Sequence, residues 1–200
     1  MLPYWFLFIG FAINLFGAGG YIVDILKGKI KPNRVTFLIW PIAPLITFAA
    51  QIQQGVGIAS LFSLFVAFTP FLVLIASFIN KKAAWKLTKF DITCGVLSLV
   101  GLILWQVTKV GNVAIFFSIL SDGLASLPTI VKAYRYPETE VAWPWLTSVV
   151  YAILALLTIS DWRFASVAFP IYYLFDVFVI YLFARTKIGK KNAFLHLFKI

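Results

Sequence analysis

Seven apolar stretches of roughly bilayer length, joined by short loops, constrain this chain more than any other feature. They cover about residues 4–26, 35–54, 57–79, 92–108, 113–134, 141–159 and 164–184. A bilayer-crossing helix needs about 20 mostly apolar residues, so each stretch reads as one span. The longest connection is the segment 80–91, which leaves no length for a soluble domain. Composition bears on this point alone. Apolar residues make up 62% of the 200 and charged residues 12%, and a soluble chain of this size cannot hide that much apolar surface. A water-soluble enzyme, a nucleic-acid-binding module and a disordered tail are thereby excluded. The first stretch has neither a basic n-region nor a small-residue cleavage site, so it reads as a retained helix.

The net charge of +10 is arranged by side. The loops after spans 1, 3 and 5 and the tail after span 7 hold fifteen of the seventeen Lys and Arg; Lys109 and Arg163 are the other two. The positive-inside rule then places the N-terminus outside and the C-terminus in the cytoplasm of a multi-pass cell-membrane protein. An odd number of spans is required, which agrees with seven. Attraction to anionic lipid is a secondary consequence of the same charge. Nucleic acid is not an expected partner.

The sequence also repeats itself. Span 3 aligns with span 7 without a gap at an offset of 106, so that Ala59-Ser60 falls on Ala165-Ser166. Span 1 aligns with span 5 at 108, which puts Asn14 on Asp122. In spans 2 and 6 the register is ambiguous; an offset of 105 pairs Trp40 with Trp145. The expected architecture is an all-α membrane protein of seven transmembrane helices, built as two parallel three-helix repeats joined by a connector helix. The first repeat is 1–80, the connector with span 4 is 81–112, the second repeat is 113–186, and 187–200 is a basic cytoplasmic tail. Parallel repeats in transporters place the solute site at the repeat interface near the midplane.

Six prolines fall inside the spans: Pro41, Pro44, Pro70, Pro128, Pro144 and Pro170. Proline removes a backbone donor and bends a helix. Interruptions in corresponding places of two halves point to a site and to hinges, although proline is also generally commoner in membrane helices.

Polar groups at mid-depth are few. Asp122 and Asp176 lie near the middles of spans 5 and 7, and Asn14 near the middle of span 1. An ionised Asp at the bilayer centre costs at least about 2.5–3.5 kcal/mol on insertion scales, so both should face the interior. Protonation relieves much of that cost. Two such acids with no base at the same depth are expected to carry protons. Ser118, Ser121, Asp122, Ala125, Ser126 and Thr129 step by three or four and share a helix face. The matching face of span 1 carries Gly10, Asn14, Gly17, Ala18 and Tyr21, and its small residues either allow close packing or leave a void. On span 7, Tyr172 and Asp176 are one turn apart, with Tyr173 beside them. Asn14, Ser118, Ser126, Tyr172 and Tyr173 are candidate solute contacts, and Asn14 and the serines are equally candidates for interhelical hydrogen bonds. Trp40 and Trp145 either stack on a solute or anchor a helix end at the membrane interface. Asp24 is expected to pair with Lys27, and Gln51, Gln53 and Gln54 to cap the outer end of span 2. Gln106 has no account.

One Cys (Cys94) excludes internal disulfides, and one His (His196, in the tail) makes imidazole sites improbable. No metal site, cofactor or catalytic residue is expected. A retinal protein would need a mid-depth Lys in span 7, where Asp176 stands instead.

Two three-helix units, a connector and an N-out, C-in orientation resemble the PQ-loop/SWEET transporter superfamily. The segment Leu127-Pro128-Thr129-Ile130-Val131-Lys132-Ala133-Tyr134 is similar to the Pro-Gln motif, with Thr129 in place of Gln; Gly20-Tyr21 stand there in the first repeat. Phe175-Asp176-Val177 and the closing Arg185-Thr186-Lys187 resemble the last helix of cystinosin-type members. In those members an Asp at the place of Asp176 is tied to proton-coupled export. Sugar SWEETs carry Asn on the third helix of each unit, where this chain has Thr69-Pro70 and Asp176. The resemblance implies alternating access by rocking of the two units. The expected function is a carrier for a small polar solute, with Asp122 and Asp176 coupling transport to protons, acting as a monomer or homo-oligomer. The alternatives are a receptor of the same fold that binds without transport, as KDEL-receptor-like members do, and an intramembrane aspartyl protease, whose Gly-x-Gly-Asp and Pro-Ala-Leu signals are missing.

Overall fold

The structure is a computed structural model that describes residues 1–80, 85–108 and 110–191. Lys81, Lys82, Lys109, His196 and Lys199, and the side chain of Gln106, lie outside the described residues. Within them the chain is helical and contains no strand. The helices are α1 (Trp5–Leu26), α2 (Arg34–Ile39), α3 (Ile42–Gln53), α4 (Leu61–Ile79), α5 (Lys89–Thr108), α6 (Gly111–Arg135), α7 (Ala142–Thr158), α8 (Phe164–Thr186) and the short α9 (Ile188–Lys191). A 3-10 turn, Gly57–Ser60, leads into α4.

Among the described residues, five helical segments are long and apolar enough to cross a bilayer: Trp5–Leu26, Arg34–Gln53, Gly57–Ile79, Gly111–Arg135 and Phe164–Thr186. Helix α7, at 17 residues, reaches ~26 Å by the helical rise, the short limit for a crossing. Helix α5 runs 20 residues. Large apolar side chains face outward along these helices. Phe16 is 73% exposed and Phe175 65%, whereas Asp176, the next residue, is 8% exposed. Apolar side chains outward and polar ones inward is the arrangement a lipid solvent favours.

Local chemistry sets the boundaries. Only one of the six prolines interrupts a helix. The second span breaks at Trp40-Pro41, between α2 and α3. Pro44 and Pro144 sit in first turns, where the missing N–H has no intrahelical partner to lose. Pro70, Pro128 and Pro170 are inside continuous helices. Helix α5 begins three residues earlier than the hydropathy pattern suggests. Thr88 N–H donates to Asp91 Oδ2 (2.6 Å) and Asp91 N–H to Thr88 Oγ1 (3.2 Å), a reciprocal capping box that starts the helix at Lys89.

The packing order is regular. Helix α4 packs on both α1 and α3, and α8 packs on both α6 and α7. Between these groups α1 lies against α7, and α3 against α6. Helix α5 packs on α6 and touches α2. The α1–α7 seam is tight because α1 presents glycine there. A Cβ on Gly10 would come within 2.8 Å of the Tyr151 ring, and one on Gly17 within 1.9 Å of Thr147 Oγ1. At the α3–α6 seam Thr47 Oγ1 donates to Ser118 Oγ (2.8 Å), and Ser118 Oγ donates to the Ala43 carbonyl.

Candidate functional site

The interior polar groups gather along two seams and around one cleft. On the α6–α8 seam the two acids are clasped reciprocally. Tyr172 OH donates to Asp122 Oδ2 (2.8 Å), and Ser126 Oγ donates to Asp176 Oδ1 (2.5 Å). Each helix thus contributes one acid and one hydroxyl, four residues apart, and the two clasps lie ~6 Å apart along the helices. Both carboxylates are buried, Asp122 at 3% exposure and Asp176 at 8%. On the α1–α7 seam Asn14 Nδ2 donates to Ser148 Oγ (2.8 Å), which donates in turn to the Pro144 carbonyl (3.1 Å).

Between the seams is a cleft of about 550 Å³ of space between atoms, part of it open to the outside. Its lining draws on α1 (Asn14, Ala18, Tyr21), on Phe37 and Trp40 of the second span, and on α4 (Val66, Thr69, Pro70, Val73). It also draws on α6 (Asp122), α7 (Pro144, Trp145, Ser148) and α8 (Tyr173, Val177). Among the described residues, none of α5 lines it. Asn14 Oδ1, Asp122 Oδ1 and Trp40 Nε1 are buried and have no hydrogen-bond partner. All three belong to residues that line the cleft. Buried polar atoms are rarely left unpaired, because desolvation without a partner costs about 1–3 kcal/mol. Three such atoms, two acceptors and one N–H donor, around one cleft mark a place built to exchange hydrogen bonds with something else.

Four aromatic rings form one end of the cleft. Tyr21 meets Phe37 (6.0 Å between centroids), Phe37 meets Trp40 (5.2 Å), Trp40 meets Trp145 (5.8 Å) and Trp145 meets Tyr21 (5.9 Å), closing a circuit. Trp40 and Trp145 are 7% and 6% exposed, so both are interior side chains and not interfacial anchors.

Beside this ring lies an ion pair that the sequence did not reveal. Lys132 Nζ is 2.5 Å from Glu140 Oε1, with both side chains almost fully buried. Glu140 also accepts from Tyr21 OH (3.0 and 3.2 Å) and from Trp145 Nε1 (3.4 Å), while Lys132 Nζ donates to the Lys31 carbonyl (2.5 Å). The network joins the α1 side of the molecule to the α6–α7 side. Lys132 reads in sequence as one more topology charge, and Glu140 as a loop acid. Only an acid directly before a buried apolar helix hinted otherwise.

The other expected residues fall as follows. Asn14, Asp122, Trp40, Trp145 and Tyr173 line the cleft; Ser118, Ser126, Tyr172 and Asp176 do not. Ser118 joins α6 to α3, and Ser126 and Tyr172 hold the acids. Tyr21, Phe37, Thr69 and Ser148 line the cleft without having been singled out as solute contacts. Asp24 pairs with Lys29 (3.4 Å) and not with Lys27. Gln51 is fully buried. It is a bridge and not an end cap: its Nε2 donates to the Ala165 carbonyl (2.8 Å) and its Oε1 accepts from Ser63 Oγ (2.8 Å). Gln54 does close the end of α3, donating to the Ala50 carbonyl (3.3 Å).

Compared with known proteins, the chain matches no family model, no curated protein and no solved structure.

Proposed function

We propose that the chain is a membrane carrier for a small polar solute, working by alternating access, with two three-helix units of the PQ-loop/SWEET kind enclosing the solute. The carrying observation is the cleft. It is lined from all six spans of the two triplets and holds the unpartnered atoms Asn14 Oδ1, Asp122 Oδ1 and Trp40 Nε1. The packing order supports a duplicated unit. In each triplet the third span packs on the first and the second, and across the middle first packs on second in both directions. The span left over, α5, is the connector in this reading.

The chemistry of the cycle follows from the contacts. The Tyr21–Glu140–Lys132 network and the aromatic ring bind the two units together on the side of the basic loops. Opening to that side requires those contacts to part. Asp122 and Asp176 are the proton carriers in this reading, since each is held by a single hydroxyl donor that tolerates either protonation state. Pro70, Pro128 and Pro170 each leave a carbonyl of the preceding turn free and supply bending points within α4, α6 and α8.

The test is flux into proteoliposomes loaded with a panel of amines, amino acids, sugars and vitamins. The protein is expected to carry at least one of them. Asp122→Asn and Asp176→Asn are each expected to fold and to lose acceleration by a proton gradient, with Asp176→Asn, at a residue that does not line the cleft, keeping solute binding detectable by thermal shift. Binding without flux for every solute makes the chain a receptor. Gradient-driven flux that survives in both variants removes the coupling role.

A further inference from the structure

We infer that the solute taken by the cleft is a small organic cation bearing a hydroxyl or carbonyl oxygen, of the amino-alcohol class. This assignment rests on reading the cleft as the solute site. Three features of the cleft carry it.

The charge in the cleft is one-sided. Asp122 lines it with one carboxylate oxygen unpartnered. Among the described residues no Lys, Arg or His lines it. The nearest buried base on the same helix, Lys132, is already bound to Glu140. A carboxylate in a low-dielectric interior is costly unless a proton or a cation accompanies it. An organic cation supplies that partner directly.

The walls suit an onium group. Tyr21, Phe37, Trp40 and Trp145 each line the cleft and contact one another at centroid distances of 5.2–6.0 Å. A cation within about 6 Å of such ring faces is attracted by their quadrupoles, most strongly for Trp and most strongly when water is excluded. Aromatic faces alone also suit a sugar. Together with an unpaired carboxylate and no positive side chain, they favour a cation.

The free hydrogen-bonding groups set the rest of the solute. Of the buried unpartnered atoms on the cleft's lining residues, Asn14 Oδ1 and Asp122 Oδ1 are acceptors and Trp40 Nε1 is a donor. The ammonium, or a hydroxyl hydrogen, satisfies the acceptors. An oxygen on the solute accepts from Trp40. Amino alcohols carry both. A solute carboxylate would be repelled by Asp122.

The experiment compares choline, ethanolamine and tetramethylammonium with the uncharged choline isostere 3,3-dimethylbutan-1-ol and with glucose. Binding to the full-length purified protein is followed by tryptophan fluorescence and calorimetry, and flux by counterflow in proteoliposomes. Choline or ethanolamine is expected to bind about ten-fold tighter than the isostere or more. Asp122→Asn is expected to bring choline and isostere to nearly equal affinity, and Trp40→Leu to weaken choline about ten-fold. The comparison of choline with its isostere on the unaltered protein stands even if a variant fails to fold. Equal binding of isostere and choline overturns the inference, as does failure of all three cations to bind at millimolar concentration. Glucose bound and carried in preference to the cations overturns it while leaving the carrier reading intact. Cation binding that needs Asp122 and Trp40, without any flux, upholds the cation site and removes the carrier reading.

Discussion

Glu140 does more at the residue scale than its position in a loop suggests. Its carboxylate takes hydrogen bonds from Tyr21 and Trp145 and an ion pair from Lys132, all out of water. Breaking one side of a buried pair strands the other charge and costs about 3–5 kcal/mol. Glu140→Gln and Lys132→Met are therefore each expected to lower thermal stability in detergent strongly. The double variant Lys132→Met/Glu140→Gln is expected to lose much less than the sum of the two. Additive losses in that cycle would show that the two groups do not act as a pair. The interior acids differ in how legible they were. Asp122 and Asp176 announce themselves, because an Asp at mid-depth is expensive wherever it points except inward. Glu140 and Lys132 sit at span ends, where either charge is cheap in water. Nothing local shows that the turn after α6 folds them back onto each other.

Close approach of helices decides behaviour at the element scale. The α1 face carrying Gly10, Asn14 and Gly17 was visible as a stripe of small residues, but whether it packs or encloses a void was not. It does both: Asn14, Ala18 and Tyr21 line the cleft, while Gly17 has no room for a methyl group against Thr147, whereas Gly19 and Gly20 have nothing within 4 Å of the same position. Gly17→Ala is expected to destabilise by about 1–3 kcal/mol, as overpacked sites do. Gly20→Ala, in the same helix, is expected to be neutral or stabilising by up to about 1 kcal/mol. Unfolding of the two variants side by side checks this, and equal stabilities would mean that the α1–α7 seam is looser than it looks. The prolines teach a related lesson. All six looked alike in sequence, yet one breaks a helix, two sit harmlessly in first turns, and three lie within continuous helices. The outcome depends on distance from the helix start, which hydropathy locates only to within a few residues.

For the whole molecule, the asymmetry of Lys and Arg carries the prediction of orientation. A fluorescent protein fused to the C-terminus is expected to fluoresce, and alkaline phosphatase at the same place to be inactive, as a cytoplasmic end requires. The opposite pair of results reverses the orientation, and with it the side on which the Glu140 network lies. In the proposed two-unit reading, residues that correspond in sequence meet at the cleft. Asn14 and Asp122, aligned in sequence, both line the cleft, from the two helices that face each other's triplets. Trp40 and Trp145, aligned at the alternative offset, touch there.

The places of the apolar helical segments, and the set of residues that cannot face lipid, were determined by the sequence alone. Both follow from a solvent of fixed thickness that penalises each polar group where it stands, so the information is local. Which interior groups face the cleft and which face one another was decided only by the tertiary structure. Asp122 and Asp176 have nearly the same sequence signature, yet one keeps an oxygen free at the cleft and the other does not line it. Hydrogen bonds saturate in pairs, and the pairing depends on how each helix is rotated against neighbours that are distant in the chain.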